Sequence, residues 1–314
     1  MVSGEICPGP ISPDTIFRIQ SPIELRRRVP YDASPMEIVN RVSRMASITA
    51  KTLVTEVKIG LVQTSGAIHP CDLSLIRNAR EMADLAVVSI FVNRLELSEE
   101  EYKNYPRDIT ADVDLLRSEN IDYVFIPPED EMYPPNFSTY IAVQKPDELG
   151  ELPAVLLKGM ATGTLKILHL TKPAYAFYAE QNAVQGAILR KMVRDLNIST
   201  EVVIAPASRE ASGLACSGRN RLLTESQSAA ALVFHRSLRQ AEQAVSSGER
   251  HPKRILAEIS RTVETEPLAA LDYAVILDPQ MSEPVSRIES AVVIGVGGRI
   301  GNVSLRDAIV VETH

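Results

Sequence analysis

Short apolar runs alternate with stretches of helical periodicity between residues 57 and 204. The apolar runs are rich in β-branched residues and predict strands at 57–62, 85–92, 121–126, 174–179 and 201–204. Between them, apolar residues recur every three or four positions, which predicts helices at 73–83, 110–119, 158–170 and 183–196. This alternation is typical of βαβ units and predicts an α/β fold with a Rossmann-like, doubly wound parallel sheet.

The pattern changes at the polar stretch that begins with residue 208. Helices are predicted at 225–246 and 252–264, followed by strands at 271–277 and 290–296, with Gly295, Gly297, Gly298 and Gly301 as turns. We therefore predict two domains, a Rossmann-like domain at 1–207 and a smaller α+β C-terminal lid domain at 208–314. Within the first domain, residues 1–13 are predicted to form a flexible lead, and residues 35–53 a helix that precedes the first strand.

Two loops lie at the carboxyl ends of predicted parallel strands. One contains His69 and the other contains Gln181. Open α/β sheets bind their ligands at this edge, and the N–H groups at the start of the following helix favour anions. We therefore expect both loops, covered by the polar stretch from residue 208, to form one ligand site.

Composition limits the classes of function. Forty acidic and thirty-three basic residues give a net charge of −7, and no basic block exceeds Arg26–Arg28, so nucleic acid is not a predicted partner. No apolar run approaches the roughly 18 residues of a membrane helix, and no signal peptide is recognisable at the N-terminus. Cys7, Cys71 and Cys216 provide no closed disulfide framework and no CxxC pair, which argues against structural zinc. These features predict a soluble cytoplasmic protein.

Several longer segments resemble one family, pantothenate synthetase (pantoate–β-alanine ligase), within the nucleotidyltransferase superfamily. The resemblance spans about residues 56 to 310 and is carried by GLVQTSGAIHPCDLSLIRNAR, VVSIFVNRLEL, NYPRDITADVDLLRSENIDYVFIPPEDEMYP, KPAYAFYAEQNAVQGAILRKMVRDLN and ASREASGLACSGRNRLL. It implies a ligase that uses ATP and Mg²⁺ to activate a small acid as an acyl-adenylate, which an amine then attacks. It also implies a homodimer formed by the first domains.

The nucleotide-binding residues implied by the resemblance are only partly retained. The family's His-x-Gly-His loop keeps His69, but its second histidine is Asp72, which would repel a phosphate. Gln181 stands where the family has a phosphate-binding lysine. Ser217 and Arg219 match the family's Ser-Ser-Arg-Asn loop, whose second serine is Gly218.

The implied acid pocket has also changed. Of two family glutamines that hold pantoate, Gln185 keeps one and Glu96 replaces the other. A glutamate beside a substrate carboxylate is unfavourable unless it is protonated or meets a donor or cation. Thr64 fits the family pattern, and Ser65 replaces a methionine.

Two further residues belong to the implied amine site. Tyr105 matches the family, and Lys158 lies in the segment where the family has a His-Phe-Arg/Ala-Gly stretch. With the acid pocket, these residues make up the predicted substrate-binding set.

Three hypotheses follow from this combination. The first is an ATP-dependent amide-forming ligase whose acid and amine differ from pantoate and β-alanine. The second is an ATP-independent proton transfer, elimination or cyclisation that uses His69, Asp72 or Glu96 as catalytic groups. The third is a non-catalytic binding protein. A separate alternative for Asp72 and Glu96 is that drift has relaxed the site and left them as ordinary surface acids. No metal site in the protein itself is predicted.

Overall fold

A six-stranded parallel sheet forms the larger layer of the molecule. The computed structural model describes residues 36–69, 72–143, 154–205, 207–279 and 284–313. The sheet has the strand order β1-β4-β3-β2-β5-β6, with the bounds β1 Glu37–Val39, β2 Ile59–Thr64, β3 Leu85–Ile90, β4 Tyr123–Phe125, β5 Tyr175–Ala179 and β6 Glu201–Ala205. The predicted Rossmann-like sheet is confirmed.

Helices cover both faces of this sheet. Their bounds are α1 Val42–Val54, α2 Leu73–Met82, α3 Glu99–Asn104, α4 Ile109–Arg117, α5 Glu129–Met132, α6 Ala154–Thr171 and α7 Ala183–Asp195. One hydrophobic cluster packs residues of α1, α6 and α7 against the sheet, and another packs residues of α2 and α4. The strands are mostly apolar, as expected for a parallel sheet with helices on both faces.

The chain reverses its direction across the sheet between β2 and β5. From β2 it runs outward through β3 to β4, and then returns so that β5 pairs with the other side of β2. Open sheets bind ligands at such a switch point, outside the carboxyl ends of the strands. The loops that contain His69 and Gln181 follow these two strands, as the sequence predicts.

The C-terminal part is a three-stranded antiparallel sheet with two helices. It comprises α8 Glu225–Ser246, α9 Pro252–Glu264, β7 Ala269–Leu277, β8 Val292–Ile300 and β9 Val303–Val311. A separate hydrophobic cluster joins the sheet to both helices, and Thr224 and Gln227 begin α8 with a capping box. The predicted α+β architecture is confirmed, while the exact boundary between residues 207 and 208 stays a prediction.

Two predicted elements are wrong. Residues 37–39 form a strand, not the start of a helix, because they pair with β4 from Glu37 to Val39. Gly295, Gly297 and Gly298 lie inside β8, not in turns. A Cβ atom at Gly297 would lie 2.1 Å from the Tyr273 ring, so this glycine makes room for an aromatic side chain. The turn at Gly301 is confirmed, with φ of +58°.

Candidate active site

The turn between β2 and α2 is held in a left-handed conformation. Gly66 has φ of +82° and Ala67 has φ of +53°, and the Thr64 hydroxyl accepts a hydrogen bond from the Gly66 N–H at 3.1 Å. Ser65 is half-buried in this turn. The predicted substrate residue Thr64 thus supports the backbone, and the substrate-binding roles of both residues stay predictions.

Asp112 is a positioning residue that the sequence analysis missed. Its carboxylate accepts the N–H of Ala67 at 2.9 Å and the N–H of Ile68 at 2.7 Å, and it is 2% exposed. It extends from α4 and binds two amides that would otherwise be buried without partners. The available signal was an acid beside Val113, on the face of α4 that buries Leu116.

Asp72 closes the loop that follows this turn. Its carboxylate accepts the His69 N–H at 2.9 Å, and its own N–H donates to the His69 carbonyl at 2.8 Å. Removal from water raises the pKa of Asp72, an effect that the His69 bond and the Arg221 charge oppose. Arg221 also donates to the Ile68 carbonyl at 3.2 Å. Asp72 therefore has a structural role here, and its predicted catalytic role stays a prediction.

The second loop brings Gln181 against the chain at Cys216. Gln181 is 7% exposed and its Nε2 donates to the Cys216 carbonyl at 3.3 Å. Within the described chain, its buried Oε1 accepts no hydrogen bond. Cys216 is disulfide-bonded. The spacing of the cysteines did not predict this bond.

Gly218 places the third loop directly on the first. A Cβ atom at this position would lie 2.8 Å from the Ala67 carbonyl oxygen and 2.9 Å from the Ala67 Cβ. The preceding residue, Ser217, begins the short turn by accepting the Arg219 N–H at 3.3 Å. The polar stretch therefore reaches back over the sheet edge, as predicted, and the missing side chain at Gly218 allows that contact.

Glu96 lies at the end of a polar chain on the other side of the edge. Asn93 donates from Nδ2 to the Glu96 carboxylate at 2.7 Å and to the Gly159 carbonyl at 3.0 Å. Tyr133 donates to the Asn93 Oδ1 at 2.9 Å. Asn93 is buried, so these bonds fix its amide and orient the Glu96 carboxylate.

Two arginines face Glu96 from the C-terminal part. Removal from water raises the pKa of Glu96, and the charges of Arg306 and Arg219, together with the Asn93 bond, oppose that rise. Removal from water also lowers the pKa of Arg219, as does the nearby positive charge of Arg306. Tyr105 belongs to the same group, since it lies near Arg219. The structure thus brings together three predicted residues, Glu96, Arg219 and Tyr105, and adds Arg306.

A hydrogen bond joins the two walls of this cleft. Ser304 on β9 donates to Glu101 Oε1 on α3 at 2.7 Å. Glu101 Oε2 accepts the Ser98 N–H at 3.0 Å, completing a capping box. Removal from water raises the pKa of Glu101, but the bonds from Ser304 and Ser98 outweigh it and lower the pKa overall.

An ion pair fixes β9 on the face opposite Ser304 and Arg306. Arg209 binds Asp307 with two hydrogen bonds of 2.8 and 2.9 Å, and Asp307 is 5% exposed. Such bidentate pairs fix geometry in two directions. Because side chains alternate along a strand, the pairing of Asp307 on one face directs Ser304 and Arg306 to the other face.

Two predicted residues are not joined to this group. Lys158 is exposed, with its Nζ 3.8 Å from the centroid of the Tyr140 ring. Gln185 is half-buried on α7. Where the structure describes the chain, no hydrogen bond or ion pair connects either side chain to Glu96, and their substrate-binding roles stay predictions. The described residues also contain no group of three His, Cys, Asp or Glu side chains able to hold a metal ion.

No helix within the described ranges combines the length and apolar character needed to cross a bilayer.

Comparison with known proteins identifies the family. A sequence model described as pantoate-beta-alanine ligase matches residues 37–310. The chain is 36% identical to the pantothenate synthetase of Thermosipho africanus over 279 residues, covering 88% of this chain and 100% of that protein. It is also 36% identical to the pantothenate synthetase of Thermotoga petrophila over 275 residues, covering 87% and 98% of the two chains.

Solved structures give the same assignment. The crystal structure of pantothenate synthetase from Thermus thermophilus matches with a TM-score of 0.77 and 30% identity, over 87% of this chain and 99% of that one. The pantoate-beta-alanine ligase of Francisella tularensis, solved in complex with β-γ ATP and β-alanine, matches with a TM-score of 0.69 and 28% identity, over 87% and 97%. With its six-stranded parallel sheet and small antiparallel sheet, this chain belongs to the pantothenate synthetase (pantoate-beta-alanine ligase) family of ATP-dependent ligases.

Proposed function

We propose that this protein uses ATP to join a small carboxylic acid, other than pantoate, to an amine other than β-alanine. A carboxylate oxygen of the acid attacks the α-phosphorus of ATP, and pyrophosphate leaves. The amine nitrogen then attacks the acyl carbon of the adenylate, AMP leaves, and the ammonium proton passes to solvent. The protein supplies positioning and charge stabilisation, which are the main requirements of such a reaction.

The proposal that the acid substrate differs from pantoate rests on the Glu96 carboxyl group. Its orientation is set by Asn93, and Arg219 and Arg306 are its charged neighbours across the cleft. A glutamate repels a bare substrate carboxylate but binds a hydroxyl or an ammonium group well. Pantoate carries hydroxyl groups but no cation, so we propose an acid that presents an ammonium group to Glu96.

The nucleotide would lie over the His69 loop, with Ser217 and Arg219 against its phosphates. The family and its ATP-bound relative from Francisella tularensis support ATP as the co-substrate. The described residues offer no cluster for a protein-held metal ion. We therefore propose that Mg²⁺ enters with the phosphates of ATP and supplies charge neutralisation there, which is its usual mode of binding.

ATP binding is the first test. Calorimetry with ATP, with and without Mg²⁺, should give a saturable isotherm, and pyrophosphate release should follow when the correct acid with an amino group is added. Pantoate serves as the matched acid without a cationic group. An absence of binding at millimolar ATP would rule out the ligase proposal.

Glu96→Gln is the second test, since it restores the neutral side chain of the family. We expect the variant to gain affinity for pantoate, measured by calorimetry, because the carboxylate repulsion is removed. Asp114→Asn, an exposed acid paired with Arg117, controls for a general change in charge. A variant that binds pantoate no better than the unchanged protein contradicts the proposed role of Glu96.

An ATP-independent proton transfer is the second candidate, and the environment of Glu96 favours it. A carboxyl group whose pKa is raised by removal from water suits a general base near neutral pH. In this case Gln181 and Asp72 would mark a nucleotide site no longer in use. Exchange of substrate C–H hydrogens in heavy water, followed by proton NMR without ATP, would support this candidate over the ligase.

We further propose a cytoplasmic homodimer formed by the parallel-sheet domains, as the family resemblance implies. Sedimentation equilibrium should then give twice the mass of the 34.5 kDa chain. A monomer at micromolar concentration contradicts the dimer without affecting the proposed reaction.

A further inference from the structure

Arg306 presents an unpaired guanidinium group to the cleft. It lies on β9, two residues after Ser304, whose hydroxyl contacts Glu101 on the opposite wall. Residues two apart on a strand share a face, so Arg306 extends toward the same wall. Across the parts of the chain that the structure describes, the Arg306 side chain makes no hydrogen bond or ion pair. Its five N–H donors are therefore available to a ligand.

Arg219 lies beside it with most of its donors also free. Its Nη1 donates to the Ser304 carbonyl at 3.3 Å, and no other hydrogen bond from its guanidinium occurs within the described ranges. That contact places Arg219 two residues along β9 from Arg306. Two like charges so close repel each other, and an anion bound between them removes this cost.

The neighbouring acids do not satisfy these donors. Both carboxylate oxygens of Glu101 are occupied, one by the Ser304 hydroxyl and the other by the Ser98 N–H. Glu96 accepts a hydrogen bond from Asn93. Within the described ranges it has no hydrogen bond to Arg219 or Arg306, and it interacts with them only electrostatically. Apart from the bond of Arg219 to the Ser304 carbonyl, the guanidinium donors of Arg219 and Arg306 thus have no protein acceptor within the described ranges.

The same strand also contacts the loop that lost a cation. Near the end of β9, the Val310 N–H donates to Glu180 Oε1 at 2.8 Å, and Glu180 directly precedes Gln181. A neutral amide at Gln181 cannot neutralise phosphate charge, whereas a guanidinium binds phosphate oxygens with paired hydrogen bonds. Arg306 is therefore a cation on β9, the strand that packs against the Gln181 loop. The family resemblance implies a lysine in that loop, and Gln181 stands in its place.

We propose that Arg306, together with Arg219, binds the phosphate groups of the nucleotide and supplies the positive charge that Gln181 does not provide. This inference rests on the proposed use of ATP. It assigns to β9 a substrate-binding role.

Calorimetry with inorganic pyrophosphate tests the assignment directly. Arg306→Ala should weaken pyrophosphate binding about tenfold to a hundredfold, the loss expected when charged hydrogen bonds are removed. Arg306→Lys keeps the charge but not the paired donors. Its affinity for pyrophosphate should lie between those of Arg306→Ala and the unchanged protein. Arg299→Ala is the matched control, because Arg299 lies on β8 and pairs with Asp272. This control should bind pyrophosphate as the unchanged protein does. Thermal unfolding of each variant confirms that it is folded.

Three outcomes would overturn the inference. They are equal binding of pyrophosphate by Arg306→Ala and the unchanged protein, loss of affinity for the carboxylic acid alone, and no pyrophosphate binding by the unchanged protein at millimolar concentration.

The ligase assay separates this inference from the proposed function. Amide formation that is insensitive to Arg306→Ala would overturn the inference alone. Pyrophosphate binding that depends on Arg306, without amide formation from any acid and amine, would support the phosphate site and contradict the ligase.

Discussion

The Asp72 loop and the Glu96 pocket each contain a carboxyl group whose pKa is raised by removal from water, yet they use it differently. Asp72 binds the His69 N–H within its own loop, and Arg221 lies beside it. Glu96 has one hydrogen bond in the described part of the chain, from Asn93. Its remaining acceptor capacity faces the cleft, so a raised pKa alone does not distinguish a structural acid from a functional one.

The difference teaches that unused hydrogen-bonding capacity, more than a raised pKa, makes Glu96 the stronger candidate for ligand binding. In the Asp72 loop, backbone amides take up the carboxylates of Asp72 and of Asp112. In the Glu96 pocket, side chains from two separate sheets meet without pairing fully. We expect substitutions in the loop to change stability first, and substitutions in the pocket to change binding first.

The largest effect on stability is expected at Asp112. Asp112→Ala leaves the buried N–H groups of Ala67 and Ile68 without acceptors, which should lower the free energy of unfolding by about 3 kcal/mol. Urea denaturation measures this change. Asp114→Ala, three residues from the end of the same helix and exposed, is the control. A loss as small as that of the control would mean that Asp112 does not hold the turn.

A smaller loss is expected for Asp72. Asp72→Ala removes the acceptor of the His69 N–H and should cost about 1–2 kcal/mol, whereas Asp72→Asn keeps an acceptor oxygen and should cost less. Urea denaturation of both variants provides the comparison. If Asp72→Ala abolishes catalysis at unchanged stability, Asp72 belongs with Glu96 and the contrast between the two regions fails.

The effect at Glu96 should depend on pH. The pKa of Glu96 in the folded protein is raised above the ordinary value of 4.5. As the pH rises above 4.5, Glu96 therefore ionises in the unfolded chain before it ionises in the folded protein. Folding becomes less favourable over this pH range because the folded protein holds its proton more tightly. Glu96→Gln lacks this penalty. Its stability relative to the unchanged protein should therefore increase as the pH rises above 4.5, as thermal unfolding can measure. A difference that does not vary with pH would contradict the raised pKa.

The smallest effect is expected at Ser304. Ser304→Ala removes the hydrogen bond to Glu101 across the cleft and should lower the free energy of unfolding by about 0.5–1 kcal/mol. Ser290→Ala, at an exposed position before β8, should leave stability unchanged. Pyrophosphate calorimetry on both variants adds a sharper comparison, because only the first change loosens the wall that carries Arg306.

The parallel sheet was predictable because its chemistry is local. Strands buried on both faces are continuously apolar, and amphipathic helices separate them, so residues 57–204 specify alternating elements without knowledge of their partners. The strand at 37–39 was not predictable in this way, since three residues carry too little pattern and pairing with β4 decides their conformation.

The glycine-rich end of the chain misled the sequence analysis for a physical reason. Gly297 and Gly298 usually indicate turns, but here they accommodate the rings of Tyr273 and Phe234. Only the tertiary packing reveals that requirement. The same error hid β9, and with it the position of Arg306, which no local motif marks.

The location of the site was predictable from the sequence, whereas the contacts within it were less so. The loops at His69 and Gln181 and the residues Glu96 and Arg219 were expected at one edge, and they lie there. The support from Asp112 depends on a pairing 44 and 45 residues apart, which periodicity does not encode.

The contact at Gly218 has a consequence for engineering this site. Any side chain introduced there would place its Cβ 2.8 Å from the Ala67 carbonyl oxygen, so the substitution is obstructed while the turn keeps its present position. A substitution that shifts the Gly66–Ala67 turn must therefore come first. The order in which the two loops are changed decides whether a larger residue fits at position 218.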